Sequence, residues 1–229
     1  MPVSAAHTDD TGAVRSAPLS APQQDVRALG IALHFLRGET MFTEGDKAAQ
    51  ILRLERGTAR LCRHFANGRR AIVHFALRGD IIGLTRAPTH FLTAEAVTPV
   101  RAVAYARTDI ERLMDADAAI REHMLGHLSQ SLLATQNLVA ALGCRNTNGR
   151  LASFFLRLAG RMAVAQDGVL ELAMPRKDVA DHLGLSIESV CRGIAALKAC
   201  GAIEVPDAHC VVLRDMRALM VLSDDESAD

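Results

Sequence analysis

A chain of 229 residues is long enough for one large domain or two ordinary ones. Apolar side chains make up 49% of it, which excludes wholesale disorder. The 26 basic and 26 acidic side chains cancel, so composition alone does not point to nucleic acid, whose usual protein footprint is a basic patch.

Other broad classes fall away on similar grounds. Lys47, Lys177 and Lys198 are the only lysines, and the other 23 cations are arginines, a bias that a GC-rich genome also produces. One tyrosine and no tryptophan disfavour an aromatic platform for single strands. No apolar run approaches the roughly eighteen residues of a membrane span, so no membrane partner is expected. The N-terminus lacks the basic start and apolar core of a secretory signal. Five cysteines without a C-x-x-C pair argue against a disulfide framework or a zinc ribbon. Cytoplasm is the expected location.

In chain order, residues 1–28 read as a disordered tail, with Pro2, Pro18 and Pro22 among small polar residues. Residues 29–107 carry short apolar runs punctuated by Gly38, Gly45, Gly57, Gly68, Gly79 and Gly83, the texture of an all-β sandwich or barrel. The clearest hairpin joins Ala59–Phe65 to Arg70–Leu77 through Asn67-Gly68, a pair suited to a two-residue type I′ turn. Residues 108–143 contain no proline and read as one helix. Along it Leu125, Leu128, Leu132, Thr135, Val139 and Leu142 alternate steps of three and four, the rhythm of a coiled-coil seam. From Asp117 to Leu142 such a helix is roughly 39 Å long at 1.5 Å per residue, too long for docking on a small barrel alone. A dimer partner is the expectation, with packing on its own domain as the alternative.

Residues 144–222 read as a second, mostly helical domain, and 223–229 as an acidic tail. Leu151, Phe154, Phe155 and Leu158 form one buried helical face. After Pro175 two short helical patterns flank Gly184, the second led by Ser186 as N-cap. That is the composition of a helix-turn-helix. Ala202–Val205 and Cys210–Leu213 then flank Pro206-Asp207-Ala208-His209, which reads as the hairpin wing of a winged helix.

Taken together, these segments resemble the Crp/Fnr superfamily of bacterial transcription factors, and within it the Fnr/FixK branch. The resemblance rests on Arg37-Gly38-Glu39, Glu44-Gly45-Asp46, Asn67-Gly68-Arg69-Arg70, Gly79-Asp80-Ile81-Ile82-Gly83, Thr93-Ala94-Glu95-Ala96 and Gly184-Leu185-Ser186-Ile187-Glu188-Ser189-Val190-Cys191-Arg192. It implies an α+β chain: an N-terminal β-roll of the cyclic-nucleotide-binding, jelly-roll type, a long dimerisation helix and a C-terminal winged helix-turn-helix. The expected partners are double-stranded DNA, RNA polymerase (touched near Gly160–Gly168) and a second copy of the chain.

Within the second helix of that motif, Arg192 can place two donors on a guanine and Glu188 can accept from a cytosine amine. Both positions match the family's base-reading residues. Ile187 can touch a thymine methyl, as in the branch that reads TTGA half-sites. Arg176, Lys177 and Ser189 are candidates for phosphate contacts. The branch usually carries serine where this chain has Cys191, which therefore faces the bases and is a possible redox site beside Arg192. A near-isosteric substitute for serine is the other reading, and an exposed Glu188–Arg192 ion pair is the non-DNA reading of the helix.

The β-roll is not expected to hold cyclic nucleotide, because the family's phosphate-binding Arg-Ser pair aligns with His90-Phe91. No cysteine precedes Cys62, which argues against an iron–sulfur cluster of the Fnr type. His34, His64, His74, His90, His123 and His127 are the remaining ligand suspects, and none is assigned a metal. No cofactor is expected, although haem stays open without a residue to hold it. No nucleophile or carboxylate pair suggests an enzyme. The resulting expectation is a homodimeric regulator, acting mainly as an activator of low-oxygen, nitrogen-fixation or respiratory genes. An effector-gated regulator of the same fold is the alternative. A metal- or ligand-binding β-roll without DNA binding is the alternative of a different class.

Overall fold

The computed structural model describes residues 29–143, 146–162 and 168–224. The expected tail at 1–28 lies outside them; of the expected acidic tail at 223–229 the first two residues, Ser223 and Asp224, complete a helix, while 225–229 lie outside. Eight strands open the chain: β1 (Ile31–Phe35), β2 (Thr40–Phe42), β3 (Gln50–Arg56), β4 (Ala59–His64), β5 (Arg70–Ala76), β6 (Ile81–Ile82), β7 (Thr93–Ala96) and β8 (Val100–Ala106). They form two four-stranded antiparallel sheets, ordered β1-β8-β3-β6 and β2-β7-β4-β5. Leu52, Leu54, Ile82, Val100 and a set of buried alanines fill the space between them. Small residues at Ala59, Ala94, Ala96 and Ala102 allow the sheets to close tightly.

The β4–β5 hairpin lies where the sequence places it, but its turn differs from the expected two-residue type I′. The Phe65 N–H bonds the Arg69 carbonyl and the Gly68 N–H bonds the Phe65 carbonyl, both at 2.9 Å. This is a three-residue connection in which Gly68 takes the left-handed conformation, φ 77°. Within the hairpin the register shifts between Leu61 and Cys62. Along β4 Ala59 and Leu61 face the interior of the roll, while Arg60, Cys62 and His64 share the opposite face, where Cys62 is fully buried in a second core.

The expected single helix over 108–143 is in fact two, α1 (Arg107–Ala116) and α2 (Ala118–Gly143). Asp117 divides them. Its extended backbone donates its N–H to Leu113 O at 2.8 Å, and its Oδ1 accepts the Ala119 N–H at 2.7 Å. One aspartate thus closes α1 and caps α2, which is the local competition that Asp offers a continuous helix. Ile110 and Met124 pack with Ile51 and Tyr105, tying both helices to the β-roll.

The C-terminal part comprises α3 (Thr147–Met162), β9 (Val169–Glu171), α4 (Arg176–Leu183), α5 (Ile187–Ala199), β10 (Ile203–Asp207), β11 (Cys210–Leu213) and α6 (Met216–Asp224). Strands β10-β11-β9 form a small antiparallel sheet that carries the wing. Leu151, Phe154, Phe155 and Leu158 are buried, as their spacing predicts. They share one core with Cys62, Ile72, Phe75 and Val97 of the β-roll.

Polar contacts reinforce that shared core. Asp178 of α4, only 3% exposed, accepts from Arg60 at 2.6 Å and from Arg70 at 2.5 Å. Arg70 also binds Asp181 at 2.7 Å, and Arg60 binds Glu95 of β7 at 2.7 Å. Burial alone would lower both guanidiniums, but their carboxylate partners outweigh it and hold both above the ordinary arginine value. His182, one residue past Asp181, gives its Nδ1–H to the Ile72 carbonyl at 2.9 Å, between Phe75 and Phe154. Arg161 of α3 pairs with Asp80 and donates to the Phe75 carbonyl at 2.8 Å.

Burial pushes the His182 imidazole down to about 4 from its ordinary 6.5, against the opposing pull of the Ile72 carbonyl. It is therefore neutral when folded, whereas the unfolded chain takes up a proton as pH falls through 6.5. Stability is lost as pH drops from 6.5 towards 4 and levels below that. Denaturant unfolding should show wild type losing up to about 2 kcal/mol between pH 6.5 and 5 through this group. His182→Gln should be less stable at pH 7 and should lack that part of the slope; equal slopes would refute the assignment.

Candidate nucleic-acid interface

The helix-turn-helix is built by two local devices. Gly184 ends α4 in the left-handed conformation, φ 63°, and the Arg150 guanidinium caps the Leu183 carbonyl at 3.0 Å. Two residues later Ser186 caps α5, its Oγ accepting the Ser189 N–H at 3.1 Å. Val179, Ala180 and Leu183 on α4 and Val190, Ile194 and Leu197 on α5 are all buried, so the two helices are seated by their apolar faces.

At Gly193 α5 crosses α3 at close range. A Cβ there would stand 2.4 Å from Leu151 Cδ1, inside a fully buried neighbour. Glycine thus sets how deeply the helix beds into the domain and how far its other face protrudes.

That other face carries the base-reading candidates together. Ile187, Glu188, Cys191 and Arg192 are all exposed along the first turns of α5. The Glu188 carboxylate is held below its ordinary value by its own backbone N–H and the Ser186 hydroxyl, with a smaller pull from Arg192. Arg192 turns towards Ser189 Oγ at 3.5 Å, and the i,i+4 ion pair with Glu188 is not among the salt bridges of the described residues. Both residues are exposed.

The phosphate candidates divide. Lys177 is exposed at the start of α4. Arg176 is half-buried; burial lowers its guanidinium, partly offset by the neighbouring Cys191 sulfur. Ser189 is half-buried with its Oγ already linked to Ser186 at 3.1 Å, so within the chain it orders the helix start. Arg60, Arg70, Asp178, Asp181 and His182, which orient the motif from behind, escape a linear reading. The i,i+3 spacing of Asp178 and Asp181 was the available signal.

The seam candidates Leu125, Leu128, Leu132, Thr135, Val139 and Leu142 all lie on exposed positions of α2. Ile120, Met124, Leu138 and Ala141 are its buried residues, so the helix has a second apolar face besides the one it packs. Among the histidines, His123 Nε2 and His127 Nε2 are 3.3 Å apart on α2. His90 is buried and stacks on Phe42 at 3.9 Å between centroids, while Phe91 is exposed under the Arg63 guanidinium. Burial lowers the His90 imidazole, so the position aligned with the family's phosphate-binding arginine holds a neutral ring at pH 7. His64 lies against Cys62 and Glu95, and burial with the Glu95 charge pushes the Cys62 thiol up to about 11. Much of the Gly160–Gly168 loop lies outside the described residues. No described helix is long and apolar enough to cross a membrane.

Comparison with known proteins agrees with this architecture at both ends of the chain. The Crp-like helix-turn-helix domain family matches residues 149–222, and the cyclic nucleotide-binding domain family matches residues 32–117. The nitrogen fixation regulation protein FixK of Bradyrhizobium diazoefficiens is 30% identical over 85% of this chain and 83% of its own. FixK of Azorhizobium caulinodans is 32% identical over 86% of this chain and 81% of its own. The solved structure of FixK2 from Bradyrhizobium japonicum superposes with a TM-score of 0.81 at 27% identity, covering 86% of this chain and 98% of that one. A β-roll, a long helix and a winged helix-turn-helix in this order, with FixK relatives along most of the length, place the chain in the Crp/Fnr family of DNA-binding transcription regulators, on its FixK branch.

Proposed function

We propose that the protein is a homodimeric transcription activator that reads a TTGA-type palindrome with α5 and needs no cyclic nucleotide to do so. The carrying observation is the division of labour within the motif. The first helix is locked to the β-roll through Asp178 and Asp181, while Ile187, Glu188, Cys191 and Arg192 on the second stand open together. In this reading the N-terminal turns of α5 enter the major groove, Arg192 and Glu188 read a G·C pair, and Ile187 meets a thymine methyl. Lys177 and Arg176 hold phosphates. The apolar stripe on α2 pairs two chains, so that two recognition helices fall on half-sites about 34 Å apart. The names of the FixK relatives support nitrogen-fixation genes as targets; low-oxygen respiratory genes, a cytoplasmic location and RNA polymerase as partner belong to the same reading. The stacked His90–Phe42 pair supports a β-roll that works without a phosphate ligand.

A second reading rests on Cys191. It is exposed on the reading face and close enough to Arg176 for the guanidinium to feel it. Oxidation by peroxide to a sulfenic or higher acid would set a bulky polar group against the bases. In that case thiol state gates DNA binding.

A gel shift on a TTGA-N6-TCAA duplex without added ligand tests the main reading. Binding supports it; binding that requires nitric oxide, or haem colour in the purified protein, favours an effector-gated regulator instead. Arg192→Ala should cost about 1–3 kcal/mol on the operator and relax one base position. Lys177→Ala should weaken specific and random DNA alike and reduce the salt slope by about one. Equal losses on operator and random DNA for Arg192→Ala would remove it from base reading. Leu132→Asp, at a position 59% exposed, should leave the chain folded but monomeric by sedimentation equilibrium. A dimer that survives it would dismiss the α2 seam. Peroxide should abolish operator binding by wild type and spare Cys191→Ser; loss in both, or in neither, discards the thiol switch.

A further inference from the structure

One side-chain cluster in the β-roll has no part in DNA reading. Cys62 and His64, two residues apart on β4, meet Glu95 of the neighbouring strand β7. Cys62 Sγ is 3.4 Å from His64 Nε2, and that nitrogen is 3.2 Å from Glu95 Oε1. All three ligand atoms lie within 4.8 Å of one another. A tetrahedral cation with bonds of about 2.0–2.3 Å holds its ligand atoms about 3.3–3.6 Å apart. Two edges of such a tetrahedron are therefore already close to length, and the third, between thiol and carboxylate, is no longer than 4.8 Å.

The carboxylate is also divided in the right way. Oε2 of Glu95 takes Arg60 at 2.7 Å and Arg70 at 3.8 Å. Oε1 turns to His64, away from the guanidiniums. One oxygen is thus committed to the contact between β-roll and α4, and the other is placed for a separate partner. The cluster spans depth as well. Cys62 is fully buried, whereas the His64 side chain is 53% exposed, so a cation arriving from solvent meets the imidazole first.

We propose that Cys62, His64 and Glu95 bind a thiophilic divalent cation of the zinc class, with a water molecule as fourth ligand on the solvent side. A thiolate–imidazole–carboxylate set selects zinc-like ions over magnesium or calcium, which take oxygen donors. On binding, the Cys62 S–H proton passes to solvent and sulfur takes the metal in its place. His64 ligates through the Nε2 lone pair as a neutral ring. The cation then lies one carboxylate away from the arginines that hold α4.

Cobalt(II) is a suitable probe because its thiolate complexes absorb strongly. The full-length reduced protein, first stripped with a chelator, should take up one Co(II) per chain with a sulfur-to-cobalt charge-transfer band that Zn(II) bleaches. Cys62→Ser should remove the band. His64→Gln, at an exposed position outside the core, should weaken Co(II) binding by about tenfold or more even if the buried Cys62→Ser variant fails to fold. Cys191→Ser should leave the band intact. Absence of a charge-transfer band in wild type, a band surviving Cys62→Ser, or undiminished Co(II) affinity in His64→Gln overturns the proposal. None of these outcomes bears on whether α5 binds DNA.

Discussion

A carboxylate removed from water dominates the way the two halves of this chain meet. Asp178 is almost wholly enclosed, and an unpaired charge there would be untenable. Two arginines from the β4–β5 hairpin neutralise it, and each is held by a further carboxylate, Glu95 behind Arg60 and Asp181 behind Arg70. Deleting one partner of such an arrangement costs about 3–5 kcal/mol, because the remaining charge stays buried. The strength of the net stabilisation matters less than its directionality. Guanidinium forks demand fixed angles, so the contact specifies an orientation in a way that the greasy surfaces around Ile72 and Phe75 do not.

Orientation is what the winged domain needs. The helix that receives the arginines is the first of the motif; its partner follows through the short turn at Gly184, shares its apolar face and is seated with it on α3. Whatever fixes α4 fixes the direction in which α5 points. His182 and Arg161 add contacts from the same side, so the β-roll acts as a mount for the motif. This mount is built on a domain of the cyclic nucleotide-binding type, in which His90 is stacked on Phe42.

The parts legible in the sequence were those governed by neighbours in the chain. Gly184 followed by Ser186 has few uses other than stopping one helix and starting another, and the wing hairpin followed from its apolar flanks. Asn67-Gly68 located a turn without defining it, because glycine in the left-handed region serves a two-residue and a three-residue connection equally well. The absence of proline over 108–143 did not guarantee one helix: the chain runs helical through Gly126 but breaks at Asp117, where a side-chain oxygen competes for backbone N–H groups. The domain contact was out of reach, since Arg60 and Asp178 are 118 residues apart and the i,i+3 spacing of Asp178 and Asp181 names no partner. Likewise the burial of Cys62, on the face of β4 that the C-terminal part covers, depends on packing between distant segments. Zero net charge was informative in a narrower sense. Residues 145–220 carry ten basic and eight acidic groups, so affinity for DNA rests on where a few cations stand rather than on a broad field.

Gly193 bears on how such a protein can diverge. Because the backbone of α5 lies against Leu151 with no room for a methyl group, the seat of the helix is decoupled from its exposed edge. Substitutions at the exposed positions 187, 188, 191 and 192 change the surface of the helix while it keeps its place, whereas a side chain at 193 would move all four at once. The exposed face can therefore vary one position at a time on an immobile platform, without loss of the buried seat that holds the helix.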